Sequence, residues 1–145
     1  MFIRLAILGA GRIGQVHARA VDGNDHAFLA AVFDPVEAAA GSVAEQYGAE
    51  IRDLDAIAAA DDIDAVIICT PTDLHAQQIE QFARAGKALF CEKPIDLDSA
   101  RVRACLDVVS ETGATLMVGF NRRFDANFMG VKAAIESGRI GTPEM

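Results

Sequence analysis

The sequence predicts an α/β fold, a doubly wound and mostly parallel sheet with helices on both faces. Three observations predict it. Short apolar runs alternate six times with stretches of helical composition, the pattern of parallel strands joined by helical crossovers. The first of these runs is mainly apolar rather than alternating, as in a strand covered on both faces. A glycine-rich turn, Gly9-Ala10-Gly11-Arg12-Ile13-Gly14, joins that run to the first helix.

The elements follow in order. FIRLAIL (2–8) reads as a strand, and QVHARAVDG as a helix ending near Gly23. AFLAAVF (27–33) is the second strand and ends at Asp34-Pro35, where Pro35 suits the first turn of a helix. VEAAAGSVAEQYG (36–48) is that helix, stopped by Gly48. AEIR is a short strand, and DLDAIAAADDI (53–63) a brief helix and turn. DAVIICT (64–70) is strand-like through its β-branched residues. Thr72 or Asp73 is expected to cap the helix that ends at Gly86. ALFCE (88–92) is a strand, Asp98 or Ser99 caps SARVRACLDVVSETG, and ATLMVGF (114–120) is the last clear strand. FDANFMGVKAAIESGRIG (124–141) reads as one more helix, with Phe124, Phe128, Val131, Ala134 and Ile135 on one apolar face. Part of that face is expected to cover the domain and part to meet the sheet of the second domain. GTPEM then looks like the start of another strand, so the sequence reads as cut at the threshold of a second domain.

Composition narrows the function classes. The 145 residues are 52% hydrophobic and 23% charged, enough for one domain with a sizeable core. A net charge of −8 offers no basic field to nucleic acid or to an anionic membrane. The three cysteines, Cys69, Cys91 and Cys105, are odd in number and form no C-x-x-C. They read as small buried residues of a protein in a reducing cytoplasm. No apolar run is long enough to cross a membrane. The N-terminal FIRLAILGAG runs into a glycine turn rather than a cleavage site, so it reads as a strand and not a signal peptide.

The glycine turn fits G-x-G-x-x-G. That pattern is weak alone, but here it follows a strand, opens a helix and has Asp34 at the end of the next strand. Gly9 permits the tight turn, a side chain at Gly11 would block a diphosphate, and Gly14 lets the helix pack on the sheet. The helix N-terminus offers free amides and partial positive charge to the anion. Asp34 suits the hydroxyls of an adenosine ribose and repels a 2′-phosphate, and no arginine follows it, so NAD is expected over NADP. The plainer alternative is a glycine turn with an aspartate capping the next helix. His17 and His26 read as a helix and a turn residue, with no metal constellation around either.

A second motif lies at residues 88–98, ALFCEKPIDLD. Charged Glu92 and Lys93 end an apolar strand, and Pro94 disfavours an α conformation at Lys93. In a doubly wound sheet ligands lie at the carboxyl ends of the strands. ICTPT, FCEKP and GFNRRF all fall at such ends, so one cleft can gather Thr70, Thr72, Glu92, Lys93, Asn121 and Arg122. The plainer reading is a solvated ion pair after an edge strand.

GAGRIG, CTPTDLH, FCEKP and VGFNRRFD, in this order and spacing, resemble the glucose–fructose oxidoreductase/inositol dehydrogenase (Gfo/Idh/MocA) family over essentially the whole chain. FCEKPIDLD and GFNRRFD resemble its bacterial inositol 2-dehydrogenases most. The resemblance implies a NAD-binding Rossmann domain over 1–120, with 121–145 as a connecting helix and the start of a C-terminal substrate and oligomerisation domain. It implies that Gly9, Gly11 and Gly14 cradle the pyrophosphate with Arg12 and Ile13 beside it, and that Asp34 holds the adenosine ribose. Thr70, Pro71, Thr72 and His75 are then expected to line the path to the nicotinamide, with Glu92 by its ribose. Lys93 is expected to reach the reacting hydroxyl, partial burial favouring a lowered pKa, while Asn121 and Arg122 border nicotinamide and substrate. The implied activity is hydride transfer from a secondary alcohol of a cyclitol or sugar to NAD, in a homo-oligomeric parent enzyme. The family's catalytic Asp and His belong to the second domain, so these residues alone are expected to be inactive. Two other classes share parts of the pattern, a stand-alone NAD-binding or sensor module and a methyltransferase. The lysine at the strand end disfavours the first, and the six strands with that lysine-proline end disfavour the second.

Overall fold

The computed structural model describes residues 2–144. Its elements are β1 (Ile3–Leu8), α1 (Arg12–Asp22), β2 (Ala27–Phe33), α2 (Glu37–Tyr47), β3 (Glu50–Ile51), α3 (Leu54–Ala59), β4 (Ala65–Ile68), α4 (Thr72–Arg84), β5 (Ala88–Cys91), α5 (Ser99–Thr112), β6 (Leu116–Val118), a 3₁₀ turn (Asn121–Phe124) and α6 (Ala126–Glu136). The strands form one sheet in the order β3-β2-β1-β4-β5-β6, and every pairing is parallel. The order reverses between β1 and β4, which opens a crevice at their carboxyl ends.

Side-chain alternation along the strands builds a core on each face. Ala6 and Leu8 of β1 join Val66 and Ile68 of β4 in a layer with Ile79 and Phe82 of α4 and Cys105 of α5. Ile7 and Val32 point the other way, to Ala18 and Val21 of α1 and Val43 of α2. The second half of β1 and most of β4 are thus buried on both sides, which is why these strands read as mainly apolar runs. Cys69, Cys91 and Cys105 are all free. Burial pushes the Cys69 and Cys91 thiols up to about 12.

Capping is local and follows the chemistry of aspartate. Asp53, Asp98 and Asp125 accept from Ala56, Ala100 and Asn127 amides at 2.7, 2.9 and 2.9 Å. Three details differ from the sequence reading. Pro35 lies before the Val36 N-cap of α2 rather than inside its first turn. Pro71 is the N-cap of α4 without any side-chain cap, so Thr72 is already helical and neither it nor Asp73 caps. The tail is a 3₁₀ turn, the Asp125 cap and a shorter helix than expected. Phe124, Phe128, Val131 and Ile135 of that segment are exposed, and only Ala134 of the expected face is buried. Most of the apolar face therefore lies open, more of it than expected, with Ala134 its one buried member. Its spacing marked an apolar stripe, and spacing alone does not supply a surface for the stripe to pack on.

At the far end of the sheet Arg4 grips Asp64 through Nε and Nη2, at 3.0 and 2.8 Å. That grip, with the Arg4 amide, holds the Asp64 carboxyl down to about 2. Because the folded value is depressed, the stabilisation is complete above the ordinary 3.8 and is lost as pH falls through about 2. Arg4→Ala is expected to lower the melting temperature modestly at pH 6 and to converge on the wild type near pH 2. A pH-independent difference measured by circular dichroism would remove the carboxylate from the explanation.

Candidate functional site

The β1–α1 turn is built by three glycines with three different constraints. Gly9 has φ +95°, and a Cβ on it would lie 2.8 Å from the Cys69 carbonyl carbon and oxygen. It therefore serves the turn and also the close approach of the β4–α4 loop. A Cβ on Gly14 would fall 1.9 Å from the Gly9 carbonyl oxygen, so the helix start sits directly on the turn. A Cβ on Gly11 would meet nothing within 4 Å, because this residue faces the open crevice. The first α-helical bond recorded at this end runs from the Gln15 amide to the Gly11 carbonyl at 3.0 Å, leaving the first-turn amides for an external acceptor. Arg12 is exposed and Ile13 half-buried beside them. An empty-faced glycine under a helix N-terminus is a cradle that fits a diphosphate.

Asp34 closes one side of the turn. Its Oδ2 accepts from the Ala10 amide at 2.7 Å, and its Oδ1 from the Val36 amide at 2.8 Å. The carboxylate thus fixes the cradle and starts the loop into α2, while each oxygen keeps further acceptor capacity. The plainer sequence reading, of an aspartate serving the next helix start, is part of what the structure shows. A cleft of about 570 Å³ runs from Asp34 and Gly11 past Cys69 to Thr70 and Pro71, with Leu54, Leu74, Gln77 and Gln81 along its walls. A second cleft, of about 400 Å³, opens at the opposite end of the sheet around Arg4 and Arg52. Its arginines are already bonded to Asp64, Glu50 and Asp62, so it offers no free charge to an anion.

His75 does not line an open path. It is buried in the first turn of α4, with Nε2 2.7 Å from the Thr70 carbonyl and Nδ1 2.8 Å from the Pro94 carbonyl. Both ring nitrogens are engaged inward, and the residue ties the β4–α4 loop to the loop after β5. Gln78, also buried, meets the Thr70 hydroxyl at 2.5 Å. Thr72 lies half-buried in the first turn of α4.

Glu92 and Lys93 follow β5, which lies between β4 and β6 and is not an edge. Glu92 Oε1 is 2.9 Å from His17 Nε2. Lys93 is exposed, so the partial burial expected of it is not found. The described residues place no cover over it. Asn121 and Arg122 are exposed in the 3₁₀ turn beyond β6, and the Arg122 guanidinium stacks 4.7 Å above the Phe128 ring. They border a separate shallow hollow with Phe124 and Asp125 rather than the long cleft.

Sequence reasoning passed over His17 and Gln78. A signal for each existed. His17 lies three residues after Gly14 on the inward side of α1, and Gln78 lies three after His75 on the buried side of α4. Among the described residues no helix is long and apolar enough to cross a membrane, and no cluster of side chains is suited to a metal.

The family model described as "Oxidoreductase family, NAD-binding Rossmann fold" (Gfo/Idh/MocA) matches residues 3–120. Inositol 2-dehydrogenase of Rhizobium meliloti (strain 1021) is 67% identical over 145 residues, covering 100% of this chain and 44% of that protein. A solved structure from Sinorhizobium meliloti 1021, described as a candidate myo-inositol dehydrogenase, is 68% identical with a TM-score of 0.91, over 96% of this chain and 42% of that one. The scyllo-inositol dehydrogenase of Lactobacillus casei, solved with NAD(H) and scyllo-inositol bound, is 35% identical with a TM-score of 0.90, over 97% and 43%. The chain spans less than half the length of the relatives it matches.

Proposed function

We propose, from the premise that this chain belongs to the Gfo/Idh/MocA oxidoreductase family with its NAD-binding Rossmann fold, that it is the cofactor-binding part of an NAD-dependent dehydrogenase acting on a secondary alcohol of a cyclitol. The observation that carries the reading is the layout of the crevice. Asp34 stands on one side of the empty-faced glycine turn, and Glu92 and Lys93 stand on the other, at the end of β5. A dinucleotide laid across the switch point between β1 and β4 meets the aspartate with one nucleoside and the β5 end with the other. The named relatives, inositol dehydrogenases, support the cyclitol as substrate class.

When bound, NAD supplies the hydride acceptor. The residues of this chain do the rest of what this half contributes. The α1 amides and Gly11 receive the diphosphate, and Asp34 receives the adenosine ribose hydroxyls. Lys93 orients the substrate hydroxyl and stabilises the negative charge that develops on its oxygen as the proton leaves. Asn121 and Arg122, at the end of β6, border the substrate side. The reading places the catalytic base and the ring-orienting pocket outside these 145 residues, along with the surface that makes the parent enzyme a homo-oligomer.

The test is NADH formation from saturating NAD and myo-inositol. These 145 residues are expected to bind NAD and turn over negligibly beside a full-length homologue. Losing general-base catalysis alone costs about 10²–10⁴-fold, and losing orientation costs more. A rate within tenfold of the homologue would show that the base lies inside this chain. In a full-length protein carrying this chain, Lys93→Met is expected to lower kcat by about 10²-fold or more and to leave NAD binding intact. An unchanged kcat would remove Lys93 from the chemistry.

A further inference from the structure

We infer that His17 is a positioning residue that holds the Glu92 carboxylate at the nicotinamide side of the crevice. The inference rests on the cofactor reading above and adds to it a contact that joins the glycine turn to the end of β5. The two residues are 75 positions apart, and His17 Nε2 lies 2.9 Å from Glu92 Oε1. Both side chains are about three-quarters buried, at 22% and 28% exposed, so the contact is sheltered from competing water.

Three elements converge on this carboxylate. α1 supplies His17 from the turn of helix that follows Gly14, so the donor is carried by the same helix whose N-terminus faces the diphosphate. β5 supplies Phe90, whose ring meets the His17 ring edge-on at 5.0 Å and 61° and fixes its plane. The end of β6 supplies Gly119, where an added Cβ would stand 3.3 Å from Glu92 Oε2 and 3.1 Å from Phe90 Cζ. A side chain at Gly119 would therefore press on both the acid and the ring that supports its partner. A glutamate at a strand end has three rotatable bonds and little reason to choose one direction. Here one oxygen is held by an imidazole N–H, and the other is left with acceptor capacity. Asp34 lies by β2, on one side of the switch point, and Glu92 on the other, so that capacity falls to the hydroxyls of the second nucleoside.

The experiment uses this chain and two ligands, NADH, which spans both sides, and ADP, which carries only the adenosine side. Each is titrated by calorimetry against the wild type, His17→Ala, His17→Gln, His17→Phe, Glu92→Ala and the double variant His17→Ala/Glu92→Ala. His17→Ala is expected to weaken NADH by about tenfold, the order of one hydrogen bond to a charged group, and to leave ADP within about twofold. His17→Gln, which keeps an N–H donor, recovers most of the loss. His17→Phe, which keeps the stack on Phe90 and has no donor, does not, and it carries the comparison if the alanine variant fails to fold. Once Glu92 is alanine, removing His17 as well changes nothing more. Equal weakening of NADH and ADP overturns the inference by assigning His17 to the packing of α1. So does an unchanged NADH affinity, or additive losses in the double variant. A wild type that binds neither ligand overturns the cofactor reading itself, and is distinguished from these outcomes by ADP.

Discussion

Gly14→Ala is expected to destabilise the domain severely, while Gly11→Ala leaves the fold standing and removes cofactor binding. The two glycines are three residues apart in one motif, yet they face opposite surroundings. The added methyl at Gly14 falls 1.9 Å from a backbone carbonyl oxygen that cannot rotate away, and 3.5 Å from Ile7 Cγ2 of β1. Either α1 lifts from the sheet or the turn opens. Overpacking of this kind costs about 1–3 kcal/mol, and more when backbone has to move. The methyl at Gly11 meets no atom of the chain within 4 Å, and its extended backbone admits alanine, at φ −68° and ψ −168°. Its cost to stability is held to about 1 kcal/mol, from the poorer helix start. It fills the space in front of the α1 amides, so NADH affinity is expected to fall by about 10²-fold or more, the worth of several charge-assisted bonds. Thermal melts and NADH titrations on both variants separate the roles. Loss of fold in Gly11→Ala, or a native melt in Gly14→Ala, would contradict the geometry.

His75→Ala is expected to lower stability by about 2–4 kcal/mol, from a buried carbonyl left without the imidazole N–H that a neutral ring donates, together with the cavity left by the ring. For a domain whose whole stability is about 5–15 kcal/mol this is a large share. The loss reaches function because the ring ties the Thr70 and Pro94 carbonyls, one in each loop at the carboxyl ends of β4 and β5. Thr70 and Pro71 line the crevice, and Lys93 directly precedes Pro94. His75→Gln, whose amide N–H can replace the imidazole donor, is expected to recover part of the stability. Chemical denaturation checks both. A melt equal to the wild type's would mean that neither carbonyl depends on the ring.

Legible in the sequence were the features set by neighbours along the chain. Apolar runs such as AFLAAVF and DAVIICT announced strands because both faces of the central sheet are covered. The glycine turn and Asp34 announced the crevice because Gly9 and Gly14 answer needs of the turn itself and Gly11 lies open beside them, all within six residues. What the sequence hid depends on partners far away in the chain. His75 sits beside the crevice in sequence, yet its nitrogens turn to carbonyls on two loops. His17 looked like an ordinary helix residue because its acceptor lies on β5. Asp34 was read for a ligand, and it also braces the turn that makes the cradle. Lys93 was expected to be partly buried, but a charge at a strand end is sheltered only by what packs over it, and it is exposed here. The stripe on α6 was visible in its spacing, and whether a stripe is covered is decided by the surface it meets.

On the proposed reading, Asp34 selects NAD at the adenosine end of the crevice. The direct measurement is a calorimetric titration of the wild type and of Asp34→Ala with NADH and with NADPH. The wild type is expected to bind NADH more tightly, because a 2′-phosphate would bring its charge against the Asp34 carboxylate. In Asp34→Ala the gap is expected to narrow, NADH losing about tenfold as the ribose bond disappears and NADPH losing less as the repulsion disappears with it. Tighter binding of NADPH by the wild type, or a preference that survives unchanged in Asp34→Ala, would contradict the assignment.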